Sequence, residues 1–385
     1  MKKENSSGLA ENKSSHRRQT ASTIIRKQKL SLLKKILSFF NWLAVFIMWG
    51  CAAVVYINPA HYGKFFSVIG LIFPICVGMV LFVAVVTLLF QPKMIWISII
   101  GFLGCCGSLR DYSPINLTSP PPKGAWKVMS YNIMSFGAYT KDEKTGDLEI
   151  LRYICTQQPT IACLQEFAFR TDEEYQSIRN TAKRYGLQVD WSFVGENRVG
   201  VMSKFHIAKK ETIFHSKTNG AVAFYLTPKA KDTIIVVSTH FESMRLSKEE
   251  RSKYKEIIQN PEQAEEIHGK LSLIRKIAKG GEERGLQVDT LTAFLDKHAN
   301  QKLIVMGDFN DTPISYAHHE VCSRLTDAYR ATGNGIGRSF NKDAIYVRID
   351  NIFCSSHFKP YAMRVDNSVP FSDHYPIVGY LKPLK

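Results

Sequence analysis

Apolar and polar positions alternate in two different ways along the chain. Up to residue 109 they come in blocks. Residues 36–57 (ILSFFNWLAVFIMWGCAAVVYI) and 65–90 (FFSVIGLIFPICVGMVLFVAVVTLLF) carry no charge, and each is long enough to cross a bilayer as a helix. A third uncharged run, 94–109 (MIWISIIGFLGCCGSL), covers about 24 Å of a hydrocarbon core near 30 Å. It is expected to be a short spanning helix, with a re-entrant segment as the alternative. Beyond residue 124 the runs shorten to strand length: 127–132, 161–165, 199–203, 221–226, 233–240, 302–307 and 348–354, with a further strand after His374. Helical spacing appears at 148–157, 172–185, 262–279 and 284–299. Strands and helices alternate irregularly, which predicts an α/β domain with mixed sheets and not a simple parallel array. The charged stretch 245–285 reads as a solvated helical hairpin.

This divides the chain into a basic tail (1–35), a transmembrane region with three helices (36–57, 65–90, 94–109), a Pro/Ser-rich linker (110–124) and a globular domain (125–385). The first apolar run is not a cleaved signal peptide, being too deep, too long and without a small-residue cleavage site. Cys105 lies too far along the chain for a lipoprotein box. The formal charge of +16 is concentrated: residues 1–35 hold ten Lys/Arg against two Asp/Glu, whereas 125–385 hold 36 against 31. Positive residues beside a membrane helix place the tail in the cytoplasm. Three crossings then put the domain outside, in a multi-pass inner-membrane protein. A net +5 over 125–385 is a weak footprint for a duplex binder. The eight cysteines have no metal-site spacing, and no disulfide is expected.

Chemistry gathers where strands end. "VMSYN" ends in Asn132, "CLQE" in Glu166, "VVSTH" in His240, and "LIVMGDFN" in Asp308 and Asn310. "VRIDNI" sets Asp350 in an apolar run, and "FSDH" brings Asp373 and His374. Carboxylates and amides beside buried strands are costly unless something positive sits among them, and such hard ligands suit Mg²⁺ or Mn²⁺. Asp311 reads as a turn or cap residue before Pro313.

In this order Asn132, Gln165-Glu166, His240, Gly307-Asp308-Phe309-Asn310, Arg348-Ile349-Asp350 and Ser372-Asp373-His374 resemble the motif set of the endonuclease/exonuclease/phosphatase (DNase I-like) superfamily, over about 125–385. The resemblance implies a four-layer sandwich of two mixed β-sheets flanked by helices, and metal-dependent hydrolysis of a phosphate ester. It implies Asn132, Glu166 and Asp373 as metal ligands, Asp308 and Asn310 positioning water and phosphate, and His240 bonding a phosphate oxygen. His374 would act as base or charge-stabilising group, held by Asp350. Met134 and "STHFES" depart from the AP endonuclease pattern, and "VRIDNI" departs from the inositol 5-phosphatase pattern. Several membrane helices ahead of such a domain resemble the teicoplanin-resistance membrane phosphatases. The expected partners are the lipid bilayer and a phosphorylated lipid substrate, with no protein partner evident. A surface nuclease acting on nucleic acid is the alternative. An inactive scaffold is disfavoured, since every catalytic residue type is present.

Overall fold

The computed structural model describes residues 5–141, 146, 148–230, 232–243, 267–342 and 347–384. The chain divides into two compact units, residues 1–51 with 73–105 and residues 52–72 with 106–385.

Among the described residues, two helices are long and apolar enough to cross a membrane, over Gln28–Tyr56 and Phe73–Phe90; a third crossing requires Pro92–Gly104 and Cys106–Tyr112 to act as one broken span. The third apolar run is therefore two helices with a break at Cys105. The few polar side chains within these helices find one another. Asn41 Nδ2 donates to Thr87 Oγ1 (3.2 Å) and Ser98 Oγ to Asn41 Oδ1 (3.0 Å), all three buried. In hydrocarbon this pairing avoids unsatisfied polar groups.

Among the described residues the second unit holds twelve strands in two mixed sheets. They are β1 (Trp126–Asn132), β2 (Ile161–Gln165), β3 (Gln188–Val194), β4 (Asn197–Ser203), β5 (His206–His215), β6 (Gly220–Lys229), β7 (Asp232–His240), β8 (Lys302–Asp308), β9 (Thr326–Asp327), β10 (Asp350–Cys354), β11 (Phe358–Val365) and β12 (Ile377–Pro383). One sheet runs β11-β12-β1-β2-β4-β3 and the other β5-β6-β7-β8-β10-β9. Among the described residues only β1–β2 and β7–β8 pair in parallel. Period-two alternation assigns the faces. Ile234, Val236, Ile304, Met306 and Ile352 turn inward to meet Val128, Ile161 and Val201 of the facing sheet. Ile235, Val237, Leu303, Val305 and Phe353 turn outward onto the helices Ile267–Lys297 and Tyr316–Cys322. The helices Glu149–Thr156 and Asp172–Arg184 cover the outer face of the first sheet. The order helix, sheet, sheet, helix is the DNase I-like fold expected.

Three readings change. Ile267–Lys297 is one helix of 31 residues, not two patterns meeting near Gly280 and Gly281, and residues 245–266 of the expected hairpin lie outside the described residues. Glycine in a helix costs about 1 kcal/mol. Here Gly281 and Gly285 are contact points: a Cβ on Gly281 would lie 2.2 Å from Ser67 Cβ, and one on Gly285 2.7 Å from Asn58 Oδ1. The apolar residues 65–71 do not continue the following apolar helix, because the chain turns at Ile72 and Gly70 packs against the Ile314 carbonyl. Finally, the linker is fastened. Asp111 pairs with Arg330 (2.6 Å), and Asn116 Nδ2 donates to the Arg330 and Gly333 carbonyls (3.0 and 2.6 Å).

Candidate active site

The site forms where both sheets end. Asn132 and Gln165 stand in register at the ends of β1 and β2. In the other sheet, β7–β8 pairing sets His240 against Asp308, and β8–β10 pairing sets Asp308 against Asp350. Three functional side chains thus share one row across three strands. The row requires Gly307, since a Cβ there would lie 1.8 Å from the Thr239 carbonyl oxygen.

Glu166 and Asn310 leave their strands in left-handed conformations, with φ of 52° and 49°. For residues with a Cβ this costs about 1–2 kcal/mol each, and local bonds hold it in place. The Glu166 carbonyl accepts the N–H groups of Ser135 (3.1 Å) and Ala168 (2.9 Å). Asn310 donates its backbone N–H to Asp308 Oδ1 (2.8 Å) and its amide to the Phe241 carbonyl (2.9 Å). The turn 134–139 beside Asn132 is also left-handed, with positive φ at Met134, Ser135, Phe136, Gly137 and Tyr139. Buried Phe136 pins it against Phe167, ring centroids 5.3 Å apart.

Asp308 is the hub. Its Oδ2 lies 3.1 Å from Asn132 Nδ2, and 3.6 Å from both His240 Nε2 and His374 Nε2. Asn132 Nδ2 also reaches Glu166 Oε1 (3.2 Å), and His240 Nε2 stands 4.0 Å from the same oxygen. Behind the hub, His374 Nδ1 and Asp350 Oδ2 are 2.9 Å apart. Ser339 Oγ fixes this layer by accepting the backbone N–H groups of Ile349 (3.0 Å) and Asp350 (3.1 Å). Ser372 Oγ donates to the Asn132 carbonyl (2.8 Å) and accepts His374 N–H (3.2 Å). Burial raises the Asp308 pKa; the His374 and His240 charges oppose that, while Asp350 adds to it. Burial alone would lower His374, but Asp350 and Asp308 outweigh it and hold the imidazole up at about 10.

Asn132, Glu166, His240, Asp308, Asn310, Asp350 and His374 therefore converge. Asp373 stands at the rim, half-buried. Its Oδ1 accepts weakly from Ser372 (3.4 Å), and among the described residues it makes no hydrogen bond to Glu166 or Asn132. Asp311 is more than a turn residue: buried, it pairs with buried Arg284 at 2.9 Å. The signal for Arg284 was a lone charge on the apolar stripe that continues through Val288, Leu291 and Leu295.

The donor set fits a hard divalent cation. Glu166, Asn132, Asp308 and Asp350 offer oxygen, and the ligand atoms of Asp308, Asp350 and His374 lie within 4.8 Å of one another. Buried Asp350 Oδ1 has no hydrogen-bond partner, which leaves an acceptor for a positive group. A second cluster, His318, Cys322 and Asp327, is a structural network. Arg348 already pairs with Asp327 at 3.1 Å, and burial pushes the Cys322 thiol well up, so it stays protonated.

Residues 34–112 match a profile described as Domain of unknown function (DUF8431). No curated protein matches the chain. Among solved structures, the human Nocturnin catalytic domain with bound sulfate anion aligns at 16% identity and TM-score 0.47, covering 70% of this chain and 97% of that one. An endonuclease/exonuclease/phosphatase from Bacteroides vulgatus aligns at 17% and 0.43 (68% and 100%). An AP endonuclease from Archaeoglobus fulgidus aligns at 14% and 0.44 (66% and 98%). Members of the family whose profile matches residues 129–374, which takes in every strand-end residue described above, hydrolyse phosphoric esters and typically use divalent metal ions. The chain belongs to the Endonuclease/Exonuclease/phosphatase family.

Proposed function

We propose that the protein is a membrane-anchored, Mg²⁺-dependent phosphoesterase acting on a phosphorylated lipid, a phosphate ester or diphosphate, outside the cytoplasm. One observation carries this reading: residues 52–72, which join the first two apolar helices, are built into the same compact unit as the catalytic residues. With the basic tail inside, that joining segment emerges on the opposite face of the membrane. The catalytic residues follow the third apolar run, so sharing a unit with 52–72 supports three crossings over two. A site tied to the bilayer by both segments meets lipids at high effective concentration. The teicoplanin-resistance membrane phosphatases, which the arrangement resembles, act on polyprenyl diphosphates.

In this reading Asp308 orients the attacking water and takes its proton, a role supported by the upward pressure of burial on its pKa. Asn310 fixes the Asp308 carboxylate through its backbone N–H. His240 and His374 present Nε2 toward the hub from two sides and donate to phosphoryl oxygens as charge builds. Asp350 keeps His374 protonated and in orientation, favouring a charge-stabilising imidazolium over a base. Glu166 and Asn132, with Asp373 at the rim, would hold the cation. When bound, it supplies neutralisation of phosphoryl oxygens and of the leaving group.

The test is the full chain in detergent or vesicles with Mg²⁺, offered polyprenyl diphosphate, sphingomyelin, phosphoinositides and plasmid DNA. Turnover of a lipid supports the proposal, and turnover of DNA alone replaces it with a nuclease. Alkaline phosphatase and green fluorescent protein fused after Gly124 read the topology. Fluorescence without phosphatase activity refutes the outer location.

A further inference from the structure

The helix Ile267–Lys297 carries two neighbouring stripes with different duties. Gly281, Gly285 and Asp289, at i, i+4 and i+8, lie on one face and receive residues 52–72. Ser67 sits where a Gly281 side chain would be, and Asn58, Pro59 and Ala60 crowd Gly285. Asn58 caps the turn Pro59–Tyr62, with Oδ1 accepting Ala60 N–H (2.9 Å) and Nδ2 donating to Asp289 Oδ2 (2.8 Å). Tyr316 O–H holds the other Asp289 oxygen (2.8 Å).

Arg284 and Gln287, on the adjoining stripe, face the catalytic loops. Arg284, 1% exposed, donates Nε to Asp311 Oδ2 (2.9 Å) and Nη1 to the Glu242 carbonyl (3.0 Å). Gln287 Oε1 accepts the Glu242 N–H (2.8 Å). One turn of helix thus grips both backbone groups of Glu242, two residues after His240, and the side chain of Asp311, next to Asn310. Ser67, Gly281, Arg284, Gly285 and Asp311 line one small cavity. The helix turn that seats the segment and the turn that grips the loops are the same turn.

We propose that residues 52–72 act as an intrachain strap for the active site, and that Arg284 is the positioning residue through which the strap sets the 240–242 and 308–311 loops. The proposal rests on the reading of the site as a phosphoesterase. Seating the strap fixes the helix, the helix fixes Arg284, and Arg284 holds Asp308, Asn310 and His240 in register. Catalytic competence is thereby tied to correct seating of a membrane-flanking segment.

The test uses the full chain in detergent, with bis(4-nitrophenyl) phosphate and a polyprenyl diphosphate as probes. Gly281→Leu places a side chain in the space of Ser67, and Gly285→Ala is the milder version in case the first fails to fold. Trypsin cleavage after Lys64 reports whether the strap is seated. The expected result is a protected wild type, a variant cut at Lys64, and a kcat lowered by about tenfold or more with KM within about threefold, as for misplaced catalytic groups. Arg284→Gln should reproduce the kcat loss with Lys64 still protected, and Arg284→Lys should recover part of it. Cleavage at Lys64 with kcat unchanged overturns the proposal, as does an Arg284→Gln enzyme of wild-type kcat. A wild type inactive on both probes removes the functional coupling. Lys64 protection would then still separate a structural strap from none.

Discussion

Asp350→Asn is the perturbation that separates the proposed roles most sharply. Asp350 is fully buried and His374 nearly so, with Oδ2 and Nδ1 2.9 Å apart. The carboxylate accepts the Nδ1 proton, which directs Nε2 toward Asp308 Oδ2, 3.6 Å away. An asparagine of the same shape can donate to Nδ1 and favour the other tautomer, and it deletes the charge that raises His374 most. Loss of an orienting carboxylate behind a catalytic imidazole costs about 10²–10⁴-fold in rate, or roughly 3–5 kcal/mol of transition-state stabilisation. The pH profile should change with it. His374, held at about 10 with Asp350 present, should fall toward its ordinary value, so the limb marking loss of the imidazolium moves to lower pH. The assay is kcat/KM against pH for wild type, Asp350→Asn, His374→Ala and the double variant. If the two act as a dyad, the double variant is about as slow as the worse single one. A double variant as slow as the product of both losses, or an unmoved limb in Asp350→Asn, would refute the pairing.

Glu166→Ala and Asp308→Asn should each lower kcat/KM by more than about a hundredfold, and EDTA should abolish turnover until a divalent cation is restored. Activity of Glu166→Ala in EDTA would remove the metal assignment. In the metal-free protein, His374 has a folded pKa above its ordinary 6.5, so its contribution is fully present below 6.5 and is lost as pH rises through about 10. Asp308, also raised, contributes below its ordinary 3.8 and loses that contribution as pH rises. Calorimetry in chelator should therefore give a Tm that falls between pH 7 and 10, less steeply in His374→Gln, and recovers when cation binds; equal slopes would contradict it. Gly307→Ala should destabilise by about 3 kcal/mol through forced separation of β7 and β8, whereas Gly107→Ala, on the helix Cys106–Tyr112 with nothing within 4 Å of the added Cβ, should stabilise by up to about 1 kcal/mol in thermal denaturation.

Much of the fold was legible because its strands are short apolar runs whose ends carry polar residues. The unbroken apolar runs at Ile234–Val237 and Leu303–Met306 report the two-sided burial that four layers require. The site was legible for the same reason: β-strands align their ends, so polar residues that close separate apolar runs gather at one place. Strands β3, β5 and β11 escaped, as did the two-residue β9. β5 and β11 mix exposed Lys and Arg with partly buried positions, and Asp190 interrupts β3, so none shows a clean apolar run. Their strand character comes from pairing with neighbours, which local periodicity does not report.

The strap could not be read locally for a different reason. Its contacts join Asn58 to Asp289 and Gly70 to Ile314, more than two hundred residues apart. Each partner looks locally like something else. Gly280-Gly281 reads as a helix break, the run 65–71 as the start of a membrane span, and Asp311 as a turn residue. A shared cause resolves all three. Small residues let another backbone approach a helix, and a short exposed apolar segment needs a surface to cover it. Arg284 could be buried on that helix only with Asp311 opposite, because an unpaired buried charge is strongly destabilising. Glycine stripe, displaced apolar turn and buried Arg–Asp pair are therefore one structure, and the bonds from the same helix turn to Glu242 and Asp311 set residues 52–72 next to the loops that follow His240 and Asp308.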